Sequence, residues 1–149
     1  MELVYEFTYT ADLAPALRIG DGPQGTRVIR SALGGTVTGE RINGRFEGAG
    51  GDWMLVGPDG FARLDGRGQI RTDDDAVLYL SFVGLVELNE QVRSAAAAGA
   101  STAYDDQYFR TTPRLETGDS RYSWVNTTLF TGTGRLTSDG VEFDVYRLT

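Results

Sequence analysis

The sequence predicts an all-β fold: a single antiparallel β-barrel over residues 1–149, with one short helix. Three observations lead there. Short β-prone segments follow one another at hairpin spacing, punctuated by twenty glycines and four prolines. Several segments alternate in character from one residue to the next, which is the period of a strand. Only one stretch, Glu87–Gly99, has helical composition. The length suits one domain with its own core, and roughly eight to ten hairpin-linked strands close most simply into a barrel.

Glu2–Thr10 alternates cleanly, with Leu3, Tyr5, Phe7 and Tyr9 on one face. Asp12–Gln24 is rich in turn residues and reads as a connection. Strands follow at Thr26–Ser31, Gly35–Gly39 and Arg45–Gly48. Trp53–Val56 runs through the turn Gly57–Pro58–Asp59–Gly60 into Phe61–Thr72, a hairpin with a four-residue loop. Asp73–Asp75 turns the chain into Ala76–Val83. The helix is centred on Gln91–Ala98. Gln107–Phe130 reads as two strands joined by a polar turn at Glu116–Ser120, and Gly140–Leu148 is the last strand.

The formal charge of −7 and the sequence pI near 4.5 argue against nucleic acid and anionic membrane surfaces, which select basic patches. No apolar run is long enough to span a membrane and none leads the chain, so cytoplasm is the expected location. The chain has no histidine, cysteine or lysine. That excludes Ser-His-Asp and Cys-His catalysis, thiolate and Schiff-base chemistry, disulfides, and zinc sites built on His or Cys. Acids and bases are left to Asp, Glu, Tyr and Arg. Asp73–Asp75 lacks the remainder of a calcium loop, and GTGRL at Gly132–Leu136 lacks the rest of a phosphate loop. No metal and no cofactor are expected.

Three stretches suggest a site. In the last part of Gln107–Phe130, Tyr122, Trp124, Asn126, Thr128 and Phe130 share one strand parity. Large flat side chains among a few polar groups suit a small-molecule pocket, although they equally suit a core. Phe61–Thr72 places Arg63, Asp65, Arg67, Gln69 and Arg71 on one parity and Ala62, Leu64, Gly66, Gly68 and Ile70 on the other. The small face would let another backbone or helix come close. The charged face is either solvated or lines the barrel mouth, where Arg67 would hold a ligand oxygen. At Gly50–Gly51–Asp52–Trp53, two glycines precede an acid and an indole. Asp52 either caps a turn or is a carboxylate of raised pKa that transfers protons.

Four segments then resemble a known family: GGDWMLVGPDG (Gly50–Gly60), LDGRGQIRTDDDAVLY (Leu64–Tyr79), YFRTTPRLETGDSRYSWVN (Tyr108–Asn126) and VEFDVYRL (Val141–Leu148). Together, in order and over nearly the whole chain, they are similar to the bacterial and fungal domain-of-unknown-function family 3237. The resemblance implies a calycin-like β-barrel, usually intracellular, with no known cofactor and no settled activity. The chain departs from the family at Ser31–Ala32–Leu33, where a Pro-Ile pair is usual, and at Gly68, where an aromatic is frequent and glycine would widen the lumen. Glu87–Ala103 is peculiar to this chain.

Three functions compete. The first is a cofactor-independent enzyme acting on a small oxygenated apolar metabolite by isomerisation, dehydration or cyclisation, pericyclic cyclisation included. Asp52 and Arg67 would be catalytic, Asn126 would help stabilise charge on oxygen, and Trp53, Tyr108, Arg110, Trp124 and Phe130 would shape the cavity. The second is a carrier of a hydrophobic small molecule. The third is a homo-oligomer assembled through aromatics of Glu2–Thr10.

Overall fold

Alternation and turn chemistry build eleven strands: β1 (Leu3–Leu13), β2 (Leu17–Gly22), β3 (Gly25–Gly34), β4 (Thr36–Gly39), β5 (Gly44–Phe46), β6 (Gly51–Val56), β7 (Phe61–Thr72), β8 (Val77–Glu87), β9 (Phe109–Glu116), β10 (Phe130–Leu136) and β11 (Gly140–Leu148). This is a computed structural model, and it describes residues 1–149. One α-helix, α1 (Glu90–Ala98), and two 3₁₀ helices, Tyr104–Asp106 and Ser120–Thr127, complete the chain. No helix is long and apolar enough to cross a membrane.

Neighbouring strands pair antiparallel throughout. Eight of them, β7-β5-β4-β1-β11-β10-β9-β8, form a ring that closes through the β7–β8 pairing. A second path joins β7 to β1 through β6 and β3, because β3 pairs with both β6 and β1. β2 lies at the edge against β3 alone. The barrel expected from the sequence is therefore present, with more strands than the turn signals mark.

The two paths divide the lumen. On the β4–β5 side it is packed solid: Phe7, Val37, Ile42, Ile70, Leu78, Leu115, Tyr122, Val125, Phe130 and Val145 are all buried. On the β3–β6 side the same strands continue with Tyr9, Leu64, Leu80, Phe109 and Phe143, which surround open space. α1 covers that end. Asn89 caps it by accepting from the Val92 N–H at 3.0 Å, and Gly99 ends it in the left-handed region at φ 61°.

Four sequence expectations need correction. The Asp12–Gln24 connection contains β2. α1 starts at Glu90 because β8 continues to Glu87, opposite Phe61. The face shared by Leu3, Tyr5, Phe7 and Tyr9 is split: the register shifts between Tyr5 and Phe7, so Leu3 and Tyr5 are exposed while Phe7 and Tyr9 enter the core. The strand expected at Tyr122–Phe130 is mostly the 3₁₀ helix Ser120–Thr127. Asp119 accepts from the Arg121 N–H at 2.9 Å at its start. The Asn126 amide bonds both the Thr117 N–H, at 2.9 Å, and the Thr117 carbonyl, at 3.0 Å. The residues buried there are Tyr122 and Val125, three apart, which is the spacing of a 3₁₀ turn.

Candidate functional site

The open half of the lumen is a cavity of about 230 Å³. Phe46, Leu64, Phe82, Phe109 and Phe143 give it an apolar wall, and Val92 and Ala96 of α1 contribute at the covered end. Tyr9 from β1, Arg30 from β3 and Asp52 from β6 are set into this wall, and Glu47, Arg67 and Gln69 also line the cavity.

The glycine pair before Asp52 lets β6 sit tightly between its neighbours. A Cβ on Gly50 would come within 2.7 Å of the Arg67 carbonyl oxygen, and one on Gly51 within 2.6 Å of that of Arg30. Alternation then sends Asp52 and Met54 to the cavity and Trp53 to the outer wall, where it is 40% exposed. Asp52 stands directly opposite Arg30 in the β3–β6 register. Such neighbours have their Cβ atoms roughly 5 Å apart. Yet they form no ion pair within 4.0 Å. The Arg30 Nε is engaged elsewhere, donating to the Ala14 carbonyl at 2.9 Å. The Asp52 Oδ1 accepts from the Asp65 N–H at 2.9 Å, which leaves Oδ2 available to an occupant of the cavity.

Burial sets the electrostatics. It pushes the Asp52 carboxyl up to about 6; the Asp65 N–H works in the opposite direction, the Asp65 charge adds to the rise and the Arg30 charge opposes it. Burial likewise lowers the Arg30 guanidinium from its ordinary value, and the Asp52 charge partly offsets this. A guanidinium nevertheless stays charged in a protein. Burial raises the Tyr9 hydroxyl, and the Asp52 charge raises it further. At neutral pH the cavity therefore holds a mostly ionised carboxylate, a fixed cation and a neutral phenol. Such a set can accept a proton, stabilise negative charge on oxygen and donate a hydrogen bond.

The structure scatters the other residues expected at the site. Arg67 lines the cavity and pairs with Gly51, but it belongs to the exposed parity of β7 with Arg63 and Asp65. The inward projection expected of it does not occur. Gly66 and Gly68 occupy the inner parity, and what approaches them is aromatic rather than backbone. A Cβ on Gly66 would overlap the Phe82 ring, and one on Gly68 would lie 3.2 Å from the Phe46 ring. Phe46 thus takes up much of the space that Gly68 opens.

Tyr108 and Arg110 do share a side, and it is the outer one. The Arg110 guanidinium lies 5.3 Å from the Tyr108 ring centroid and donates to Thr133 Oγ1 at 2.9 Å. Trp124 and Phe130 belong to the packed half, their ring centroids 6.2 Å apart, with the Arg41 guanidinium 3.6 Å above the Trp124 ring. Asn126 fastens the 3₁₀ helix. Of the expected residues, Asp52 and Arg67 line the cavity, and of these only Asp52 belongs to an inward-facing parity. Arg30 and Tyr9 escape a reading of the sequence because it does not give the register that sets Arg30 against Asp52, or the bulge that turns Tyr9 inward. The available signal is the shared parity of the large aromatics Phe7 and Tyr9.

A family model described as "Protein of unknown function (DUF3237)" matches residues 1–148. A UPF0311 protein of Rhodopseudomonas palustris is 34% identical over 152 residues, covering 99% of this chain and 97% of the relative. A UPF0311 protein of Clostridium acetobutylicum is 30% identical, covering 99% and 93%. Among solved structures, a conserved protein of unknown function from Rhodopseudomonas palustris superposes with a TM-score of 0.90 at 34% identity, covering 99% of this chain and 97% of that one. A β-barrel-like protein from Acinetobacter baumannii gives 0.85 at 31% identity, covering 99% and 96%. A structure described as an enzyme from Penicillium herquei gives 0.74 at 16% identity, covering 99% and 94%, a likeness of fold.

Proposed function

The chain belongs to the DUF3237 family, whose model spans residues 1–148, and we propose that it is a cofactor-independent enzyme that moves a proton within a small, oxygenated, largely apolar metabolite. The reaction is an isomerisation, dehydration or cyclisation. The observation that carries this reading is Asp52: a carboxyl set in an apolar cavity, raised to about 6, opposite a guanidinium it does not pair with. A base whose pKa lies near the working pH transfers protons most effectively.

In this reading ionised Asp52 takes a proton from a substrate O–H or activated C–H. The electron pair left behind moves within the substrate, and negative charge collects on an oxygen near Arg30, whose fixed cation stabilises it. The carboxylic acid then returns the proton at a second position, or to the leaving hydroxyl in a dehydration. No electrons leave the substrate, so no redox partner is required. Arg30 takes the role the sequence suggested for Arg67 and Asn126. The fold likeness to the Penicillium enzyme is compatible with catalysis and adds no more than analogy. A small-molecule ligand, with neither nucleic acid nor membrane surface as partner on grounds of the negative charge, accompanies this reading, as does a cytoplasmic location.

A cavity of about 230 Å³ exceeds the roughly 150 Å³ apolar cavity that holds benzene in the standard example, so the enclosed part of the substrate is on the order of ten heavy atoms. The nearly continuous apolar wall also suits a non-catalytic carrier. Identification of the metabolite that co-purifies, by mass spectrometry, supplies the substrate for a test. Asp52→Asn keeps the shape and the Asp65 hydrogen bond. It is expected to lower turnover by roughly a hundredfold or more while binding survives. Unchanged turnover would overturn the proton-transfer role. Binding with no conversion by the wild-type protein would establish the carrier.

A further inference from the structure

The buried polar atoms single out Tyr9. Four buried side-chain polar atoms have no hydrogen-bond partner: the Tyr9 hydroxyl, Gln107 Oε1, Thr111 Oγ1 and Arg147 Nε. Arg147 Nε still has a charge partner, Glu6 Oε2 at 2.9 Å. Gln107 is held through its amide nitrogen, which donates to the Ala103 carbonyl at 2.9 Å. Thr111 packs beside Gly132 and Gly84, away from the cavity. Tyr9 is the one that lines the cavity, and it is 2% exposed.

Its ring is fixed. It stacks on Phe143 with centroids 4.9 Å apart and meets Phe46 edge-on at 5.5 Å. A phenylalanine would make the same contacts. Leaving a buried hydroxyl without a partner costs free energy, so an unpartnered one in a cavity wall calls for a partner supplied by the occupant or for a catalytic role. We propose that the Tyr9 hydroxyl is a ligand-binding donor inside the cavity. It selects an occupant with a phenolic or carbonyl oxygen on a ring-sized apolar body, held so that Asp52 reaches the same region. The inference deepens the proton-transfer reading by naming the substrate class, and it rests on that reading only for the role of Asp52. Burial and the nearby Asp52 charge both disfavour ionisation of Tyr9, so it stays a donor across the working range.

The test uses 2-naphthol, which carries one phenolic oxygen, and naphthalene, which carries none. Wild-type protein is expected to bind 2-naphthol at least tenfold more tightly than naphthalene in a calorimetric or fluorescence titration. In Tyr9→Phe that preference collapses, naphthalene binding is retained, and the unliganded variant melts no lower than wild type, because no protein hydrogen bond is lost. A structural tyrosine would behave oppositely, lowering the melting temperature and weakening both probes alike; that result overturns the proposal. So does wild-type protein that binds the two probes equally, or neither at millimolar concentration, or a preference that survives in Tyr9→Phe. The Asp52→Asn turnover measurement is read separately. Loss of the catalytic reading there leaves the Tyr9 binding result standing, and failure at Tyr9 leaves the Asp52 result standing.

Discussion

A carboxyl that is easier to protonate in the folded chain than in the unfolded one leaves a mark on stability. Asp52 moves from 3.8 to about 6 on folding. Its folded state therefore binds the proton more tightly. The contribution is fully present below pH 3.8 and is lost as pH rises through about 6. At neutral pH the ionised group costs about 3 kcal/mol relative to a neutral one. Asp52→Asn is expected to be more stable than wild type by roughly 2–3 kcal/mol above pH 7, with the advantage shrinking towards zero near pH 4. Urea denaturation of the two proteins across that range checks it; an advantage independent of pH would contradict the assignment. At this scale the sequence was legible where chemistry is local. The step Gly50–Gly51–Asp52 marks a constrained acid, and the structure places that acid in the cavity. Arg30 and Tyr9 were not legible, because their relation to Asp52 depends on register and on a bulge. Arg67 misled because a strand's parity says which residues share a face and not which face is inner.

Among the elements, β7 and β11 have the bounds that alternation and the flanking turns predict, Phe61–Thr72 and Gly140–Leu148. Their signals are strong because turn residues bracket an unbroken two-residue period. β2 was hidden by Gly20 and Gly22, and as an edge strand with Leu17 and Ile19 exposed it carries little alternation. The 3₁₀ helix Ser120–Thr127 imitates a strand by having aromatics two apart, while its true determinants are the side-chain bonds of Asp119 and Asn126 to backbone. Those bonds separate the two readings of Asn126. If it fastens the helix, Asn126→Ala removes two hydrogen bonds and lowers stability by about 1–2 kcal/mol. Binding in the cavity should be unaffected, since Asn126 lies outside it. Thermal melts and the 2-naphthol titration check this together; weakened binding with unchanged stability would return Asn126 to the site.

For the whole molecule, the barrel was legible and its division was not. Composition and hairpin spacing are enough to predict strands that close on themselves. They do not reveal that β3–β6 and β4–β5 are alternative paths around the lumen, one beside a packed core and the other beside a cavity. That division reconciles the two readings of the aromatic residues: Trp124 and Phe130 fill the packed half, while Phe46, Phe82, Phe109 and Phe143 wall the open one. It also puts the Asp52 carboxyl, half-buried in an apolar wall, opposite a guanidinium with which it forms no ion pair. The central claim is that this environment readies Asp52 for proton transfer near neutral pH. The most direct measurement is the carboxyl carbon-13 shift of Asp52 followed by NMR against pH in unliganded protein, with Asp52→Asn identifying the resonance. The account predicts a midpoint near 6. A midpoint at the ordinary 3.8 would contradict it and leave the cavity as a binding site without a poised acid.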